Sequence, residues 1–271
     1  WYKPLKTGFF VFVGACTALT DDGNLSKRSI LVTTLHDKTL NRVDHAWLLF
    51  LIVTGCAVSA LLAASFFDFT VFLSGVLCVG LTSIGRREGH LVGLYTAISY
   101  SVLSYSNGLY GEVYLDLFFF IPTGILGYIM WRRHTKEDRT VEMRQLSLGF
   151  RVILITGCIL ATYIVGKLLA LNPNQNTPFI DASTNVLSVA ATFLAIWRFK
   201  EQWLLYIALN AISLFMWILR FQAGGEAGDM MVLTWSLYLA TAFFGYWRWH
   251  VGIRRDAAVG ADPAMPACDA A

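Results

Sequence analysis

Charge is scarce in this sequence: Asp, Glu, Lys and Arg make up 14% of its 271 residues, while apolar types make up 56% and the mean hydropathy is +0.56. Soluble domains carry about a quarter charged residues, so the composition excludes an ordinary soluble domain and calls for a lipid bilayer. An excess of one sign is also missing. The net charge of +3 gives nucleic acid no footprint. The five cysteines, Cys16, Cys56, Cys78, Cys158 and Cys268, form no CxxC and no Cys/His ligand spacing, which excludes a zinc site or disulfide framework and leaves them as small packing residues. Histidines 36, 45, 90, 134 and 250 all fall at or beyond the expected membrane edges, so no intramembrane cluster is on hand for a metal or a nucleophile. GxSxG, HExxH and phosphate-cradling glycine loops are absent. A retinal protein would need a lysine in its last helix, and 230–249 has none. The expectation is a protein that is not an enzyme and needs no cofactor or metal.

Long apolar runs are what the sequence does have. A crossing helix needs about 20 mostly apolar residues, and eight segments qualify: 46–67, 69–85, 91–110, 113–131, 150–171, 178–199, 202–220 and 230–249. Residues 1–45 read as interfacial or cytoplasmic, and 251–271, rich in Ala and Pro, as a disordered cytoplasmic tail. No cleavable signal is visible, so insertion is expected to rely on the first spanning helix. With both termini cytoplasmic, every basic residue except Lys167 and Arg220 falls on the inner side, the arrangement that Lys and Arg retention favours.

An internal duplication emerges when 71–134 is laid over 184–250. Thr123, Gly127, Tyr128 and Trp131 match Thr241, Gly245, Tyr246 and Trp249 at identical spacing. Ala97-Ile98-Ser99 matches Ala211-Ile212-Ser213, and Glu88 and Glu201 each open a middle helix. One helix between two triplets keeps them in the same orientation, so the expected symmetry is a two-fold along the membrane normal. The fold class that follows is all-α integral membrane: an extra helix at 46–67, a first triplet in 69–134, a linker helix at 150–171 and a second triplet in 178–250.

Polar side chains inside a bilayer are costly and are the default functional candidates. Asp181, Asn185, Ser188 and Thr192 share one face of their helix by spacing, as do Tyr206, Asn210, Ser213 and Trp217 on the next. Thr234, Tyr238, Thr241 and Gly245 share a face of the last helix, with Trp235 beside them. The first triplet offers Ser74, Cys78 and Thr82, then Tyr95, Thr96 and Ser99, then Asp116, Thr123 and Tyr128. Single Ser and Thr residues also serve simply to stitch helices together. The concentration of amide and aromatic groups points further, to a ligand pocket. Asp116 and Asp181, about one turn from the outer helix ends, read as a hydrated rim that attracts a cation or binds a sugar. Tyr128, Trp131, Tyr246, Trp247 and Trp249 read as an interfacial aromatic belt. Pro122, with Gly124 and Gly127, is expected to kink its helix.

Three stretches carry a resemblance: Phe118-Phe-Phe with Gly127-Tyr-Ile-Met-Trp131, Asp181-Ala-Ser-Thr-Asn-Val-Leu-Ser188, and Arg198-Phe-Lys-Glu201-Gln-Trp203 with Asn210-Ala-Ile-Ser213. Over about residues 70–250 the chain resembles the bacterial nicotinamide riboside transporters, the PnuC family. The resemblance implies a three-plus-one-plus-three helix core similar to that of SWEET sugar carriers. It also implies facilitated diffusion of the vitamin across the inner membrane, with trapping by a cytoplasmic nicotinamide riboside kinase. Helix 46–67 would then be an accessory element whose removal leaves transport intact. The ligand's pyridinium suits the faces of Trp217, Trp235 and Tyr238, since a cation over an aromatic ring gains roughly 2 kcal/mol when desolvated. Its carboxamide suits Asn210 or Asn185, and its ribose suits Thr and Asp. The expected substrate set is Asn210, Trp217, Asn185, Ser188, Asp181, Trp235, Tyr238, Ser213, Thr241, Tyr95, Ser99 and Asp116. A carrier of thiamine, riboflavin or a small sugar, or a receptor that transports nothing, would use the same scaffold. Assembly into a homo-oligomer is left open by the sequence.

Overall fold

A computed structural model describes residues 22–63, 65–106, 110–171, 177–222 and 228–260, and among them every regular element is helical. The chain forms two compact units, residues 1–41 and 42–271; side-chain contacts below concern the second. The helices are α1 (Asp22–Leu62), α2 (Phe66–Ser83), α3 (Glu88–Ser106), α4 (Tyr110–Leu115), α5 (Ile121–Arg133), α6 (Leu148–Leu169), α7 (Pro178–Ile196), α8 (Gln202–Gln222) and α9 (Gly228–Gly260). Among the described residues, seven helical segments are long and apolar enough to cross a membrane. The eighth expected span, α3, has the length at 19 residues but is enriched in Ser, Thr and Tyr, so its apolar content falls short on its own.

Local chemistry sets several of the boundaries. The Ser65 hydroxyl accepts from the Asp68 N–H at 3.1 Å and caps α2, with the Asp68 carboxylate in the first turn. Pro178 opens α7, where its missing N–H would be unsatisfied in any case. The expected kink at Pro122 takes the form of a π-helical turn, Asp116–Phe120, that joins α4 to α5, with the Ile121 N–H donating to the Asp116 carbonyl. Proline cannot donate in the α pattern and its ring crowds the preceding turn; widening that turn by one residue relieves both.

Neighbouring helices close in the order α2, α3, α4–α5, α7, α8, α9 and back to α2, while α6 packs on α7 outside this ring. Exposed stripes identify the outward faces: Leu91, Tyr95, Ile98, Val102 and Tyr105 on α3; Leu204, Ala208, Ala211, Phe215 and Leu219 on α8; Leu233, Ala240, Phe243 and Trp247 on α9. Loops 84–87, 134–147 and 197–201 and the end of α9 gather at one end of the bundle, with Arg86, Arg87, Arg132, Arg133, Lys136, Arg139, Arg144, Arg198, Lys200, Arg254 and Arg255. This is called the basic end below.

Three expected boundaries are revised. Helix α1 begins at Asp22 rather than near residue 46, and α2 begins at Phe66, inside the first expected span. Helix α9 runs on to Gly260, through ten residues expected to be disordered, because Asp256 pairs with Lys136 and Arg255 with Asp138; residues 261–271 lie outside the described set. The part of α1 within the second unit is also far from a loose accessory. Asp44 meets Arg248 through two bonds of 2.8 and 2.9 Å with both side chains buried, Trp47 stacks on Phe244 at 4.5 Å, and Leu51 is fully buried with Phe72, Val76 and Leu237.

Candidate functional site

The α8 residues expected on one face lie opposite its lipid stripe: Asn210 and Ser213 are buried, and Tyr206 and Trp217 half-buried. Helix α9 does the same with Thr234, Trp235, Tyr238 and Thr241. Since a 3.6-residue period puts these groups about half a turn from the exposed stripe, they look into the ring. Cross-helix bonds follow. Tyr206 hydrogen-bonds Thr192 of α7 and Thr96 of α3 donates to Ser74 of α2 at 3.0 Å; within α9, Trp235 stands edge-on to Tyr238 with centroids 5.8 Å apart. Tyr238 reaches from α9 across to α2. A Cβ added at Gly75 would lie 2.5 Å from its hydroxyl oxygen and 3.7 Å from Thr96, so only glycine lets the phenol settle there.

The structure does not bring every expected residue into this interior. Tyr95 belongs to the exposed stripe of α3 and spends its hydroxyl on Thr70 at 2.9 Å. Asn185 is exposed and lines an apolar groove of about 560 Å³ between α6 and α7, with Ile153, Gly157, Val189 and Phe193. Its shared face with Ser188 and Thr192 is real, but α6 covers one edge of that face and Asn185 occupies the edge. Asp116 is buried on the π turn, 5% exposed, rather than hydrated at a rim. Asp181 does stay near the rim, accepting from the Thr177 hydroxyl at 3.3 Å. Ser99 is buried, Ser188 is half-buried, and the Thr241 hydroxyl is used within α9 on the Leu237 carbonyl at 2.7 Å.

Toward the basic end the ring is plugged. Trp131 and Trp249, expected in an interfacial belt, are both fully buried with centroids 5.8 Å apart, and Trp203 lies 6.1 Å from Trp249. Trp247, by contrast, is 45% exposed on the outward stripe of α9. The Trp131 N–H donates to the Ala195 carbonyl at 2.8 Å. The His90 ring lies on Gly127 and edge-on to Trp131, while the Trp203 ring lies on Gly245, each glycine admitting an aromatic where a Cβ would collide. Sequence reasoning does not single out His90 or Trp203 as candidates; the signal for them is Gly127 and Gly245, matched in the overlay of 71–134 on 184–250 and each opposite a ring.

A strap, residues 134–147, crosses the plug. Its Val141 N–H donates to the Gly85 carbonyl at 2.9 Å and its Arg144 N–H to the Arg198 carbonyl at 2.8 Å. Gly85 (φ 77°) and Arg198 (φ 64°) both take the left-handed conformation, at the turns that follow α2 and α7. Val141 and Met143 are buried among Trp131, Trp203 and Trp249. Asp138 ties the strap down: burial pushes its carboxyl pKa up, but bonds from Thr140 and the charges of Arg255 and Lys136 outweigh that and hold it below the usual value. Among the described residues no cluster of His, Cys, Asp or Glu is arranged to hold a metal.

A ring of helices long and apolar enough to cross a membrane, with hydroxyl, amide and aromatic groups turned inward, is the architecture of a multi-pass membrane protein with a polar interior. Residues 65–251 match the model of the nicotinamide mononucleotide transporter family, and the chain belongs to that family. It is 28% identical to the nicotinamide riboside transporter PnuC of Neisseria mucosa over 217 residues, covering 78% of this chain and 82% of that protein. It is 29% identical to the protein of the same name from Haemophilus influenzae over 186 residues, covering 68% and 78%. A crystal structure of the vitamin B3 transporter PnuC superposes with a TM-score of 0.67 at 27% identity, covering 79% of this chain and 92% of that one.

Proposed function

We propose that this chain takes nicotinamide riboside across the inner membrane of a bacterium by facilitated diffusion, with the basic end and both termini cytoplasmic. The observation that carries the reading is the inward set of Tyr206, Asn210, Ser213 and Trp217 on α8 facing Trp235, Tyr238 and Thr241 on α9. Aromatic faces suit the pyridinium, the Asn210 amide suits the carboxamide, and Asp116 supplies negative charge toward a cation. The family's name speaks of a mononucleotide and the relatives' names of a riboside. The riboside is favoured here because a phosphate needs cations beside it in the membrane. Among the described spanning residues, cations lie toward the helix ends or are paired: Lys167 is exposed near the end of α6, against Tyr163, Arg151 at its start is held by Glu201, and Arg248 is engaged by Asp44.

The mechanism we infer is alternating access between two triplets, α2 to α5 and α7 to α9, joined by α6 and related by a two-fold along the membrane normal. In support, Trp131 and Trp249 meet each other, and the pairs His90–Gly127 and Trp203–Gly245 repeat one packing unit. The matched Ala-Ile-Ser segments stand one residue out of the register that Glu88 and Glu201 define; the packed pairs follow the glutamates. Phosphorylation of the riboside by a cytoplasmic kinase would trap it, since the added phosphate makes passage through the membrane interior costly.

Counterflow tests the proposal. Liposomes containing the purified chain and preloaded with unlabelled nicotinamide riboside are expected to take up the labelled vitamin, and nicotinamide mononucleotide is expected not to compete. Uptake no greater than in empty vesicles removes transport of this vitamin, and exchange of thiamine instead reassigns the chain to another vitamin.

A further inference from the structure

The turn between α7 and α8 holds a lysine in an unusual condition. Lys200 is only 6% exposed, although a lysine at a water-facing end normally extends its ammonium into solvent. Its backbone N–H donates to the Arg144 carbonyl at 2.8 Å, which fixes the residue under the strap, and its Nζ stands 3.4 Å from Nδ1 of His250 on α9. Four carboxylates of this end are engaged by other groups, and Glu142 of the strap lies 4.0 Å from Arg198. Glu201 takes Arg151 at 2.9 Å and the Leu146 N–H at 3.0 Å, Asp256 takes Lys136, Asp138 takes Arg255, and Asp44 takes Arg248. Among the described residues, none forms an ion pair with Lys200. Burial lowers the Lys200 pKa; Glu201 opposes this, and the positive charges of Arg151 and Arg254 add to it. Withdrawing an ammonium from water without a direct ion pair is costly; Glu201 offsets this only through space while it holds Arg151, and two further cations act on the same ammonium.

We propose that Lys200, His250 and Arg254 form a binding site for a phosphate-class anion at the basic end. His250, if it accepts at Nδ1 from Lys200, carries its proton on Nε2 and so adds a donor. Arg254, one turn further along α9 and exposed, gives the site its opening to solvent. The site touches three elements at once: the α7–α8 turn, α9 and, through Arg144, the strap. It also adjoins the plug, for Trp203 and Trp249 are near neighbours of Lys200 and His250 in sequence. A bound anion would therefore hold the strap and plug in the arrangement seen here. A soluble phosphate or phosphate monoester and the headgroup of an anionic phospholipid offer the same chemistry. The identity of the transported molecule plays no part in this inference.

The test uses the full chain in phosphatidylcholine nanodiscs, with unfolding followed by tryptophan fluorescence while inorganic phosphate or pyrophosphate is titrated against chloride of equal ionic strength. The expected result is a saturable rise in Tm beyond the chloride control. Half-saturation should shift about tenfold or more in Lys200→Met, as loss of a charge-assisted hydrogen bond predicts, and should be preserved in Lys200→Arg. Arg254→Gln, at an exposed position where packing is undisturbed, should also weaken the response. A rise that needs phosphatidylglycerol in the bilayer and ignores soluble phosphate, yet still depends on Lys200 and Arg254, assigns the lipid headgroup as the source. An identical response in wild type, Lys200→Met and Arg254→Gln, or no response to either source, overturns the site.

Discussion

Asp44 and Arg248 show how sequence separation hides a pair. They are 204 positions apart, yet two parallel bonds join them in a buried site, and removing either charge leaves the other stranded. Such a loss costs about 3–5 kcal/mol, whereas replacing both partners with apolar residues of similar size is often close to neutral. Arg248→Met and Asp44→Leu should each therefore sharply lower the unfolding temperature in detergent, and the double variant should recover most of it; additive losses would show that the pair is not coupled. Gly75 and Tyr238 give a second residue-scale expectation, read in function. Gly75→Ala meets the phenol oxygen at 2.5 Å and should displace the ring, raising the KM for the vitamin, while adding Tyr238→Phe leaves the ring carbon at 3.8 Å and should restore packing. If the double variant binds no better than Gly75→Ala, the clash is not the cause. Tyr238 was legible in the sequence because helical spacing alone sets its face. Gly75 was not, since nothing in a helix's own period says which partner residue its side chain will strike.

Elements were legible in proportion to their apolar contrast. Helices α6, α7 and α8 lie close to their expected spans, because long apolar runs between basic loops have one stable arrangement in a bilayer. The tryptophans at the basic end are ambiguous in sequence for a related reason. Both an interfacial belt and a buried plug put aromatics at helix ends, and only the facing glycines distinguish them. Tyr95 and Asn185 failed differently: one shares its turn with an outward stripe, and the other meets α6, whose position on α7 the sequence did not specify. Helix α1 is where the contacts and the expectation part most clearly. With Asp44, Trp47 and Leu51 all packed on α2 and α9, a chain lacking residues 1–62 should lose monodispersity in detergent and lose counterflow together. Full activity in that truncation would make α1 the accessory helix that the family resemblance implied.

For the molecule as a whole, the decisive quantity is the charge that moves with the substrate. Nicotinamide riboside carries a fixed positive charge, and a uniporter moves that charge across the bilayer on every inward cycle. Moving one charge through 100 mV is worth about 2.3 kcal/mol, and about 1.4 kcal/mol is tenfold, so an inside-negative potential of that size should drive about fifty-fold accumulation of the unphosphorylated vitamin. In proteoliposomes with the potential set by a potassium gradient and valinomycin, the steady-state ratio should follow the potential and reverse with its sign. Accumulation indifferent to potential would mean that a compensating charge travels with the vitamin or against it. Asp116, buried on the π turn of the α4–α5 rod, would then be the first side chain to replace: Asp116→Asn should make transport respond to potential if that carboxyl carries the counter-ion, and should leave the potential dependence unaltered if the carrier is a simple uniporter.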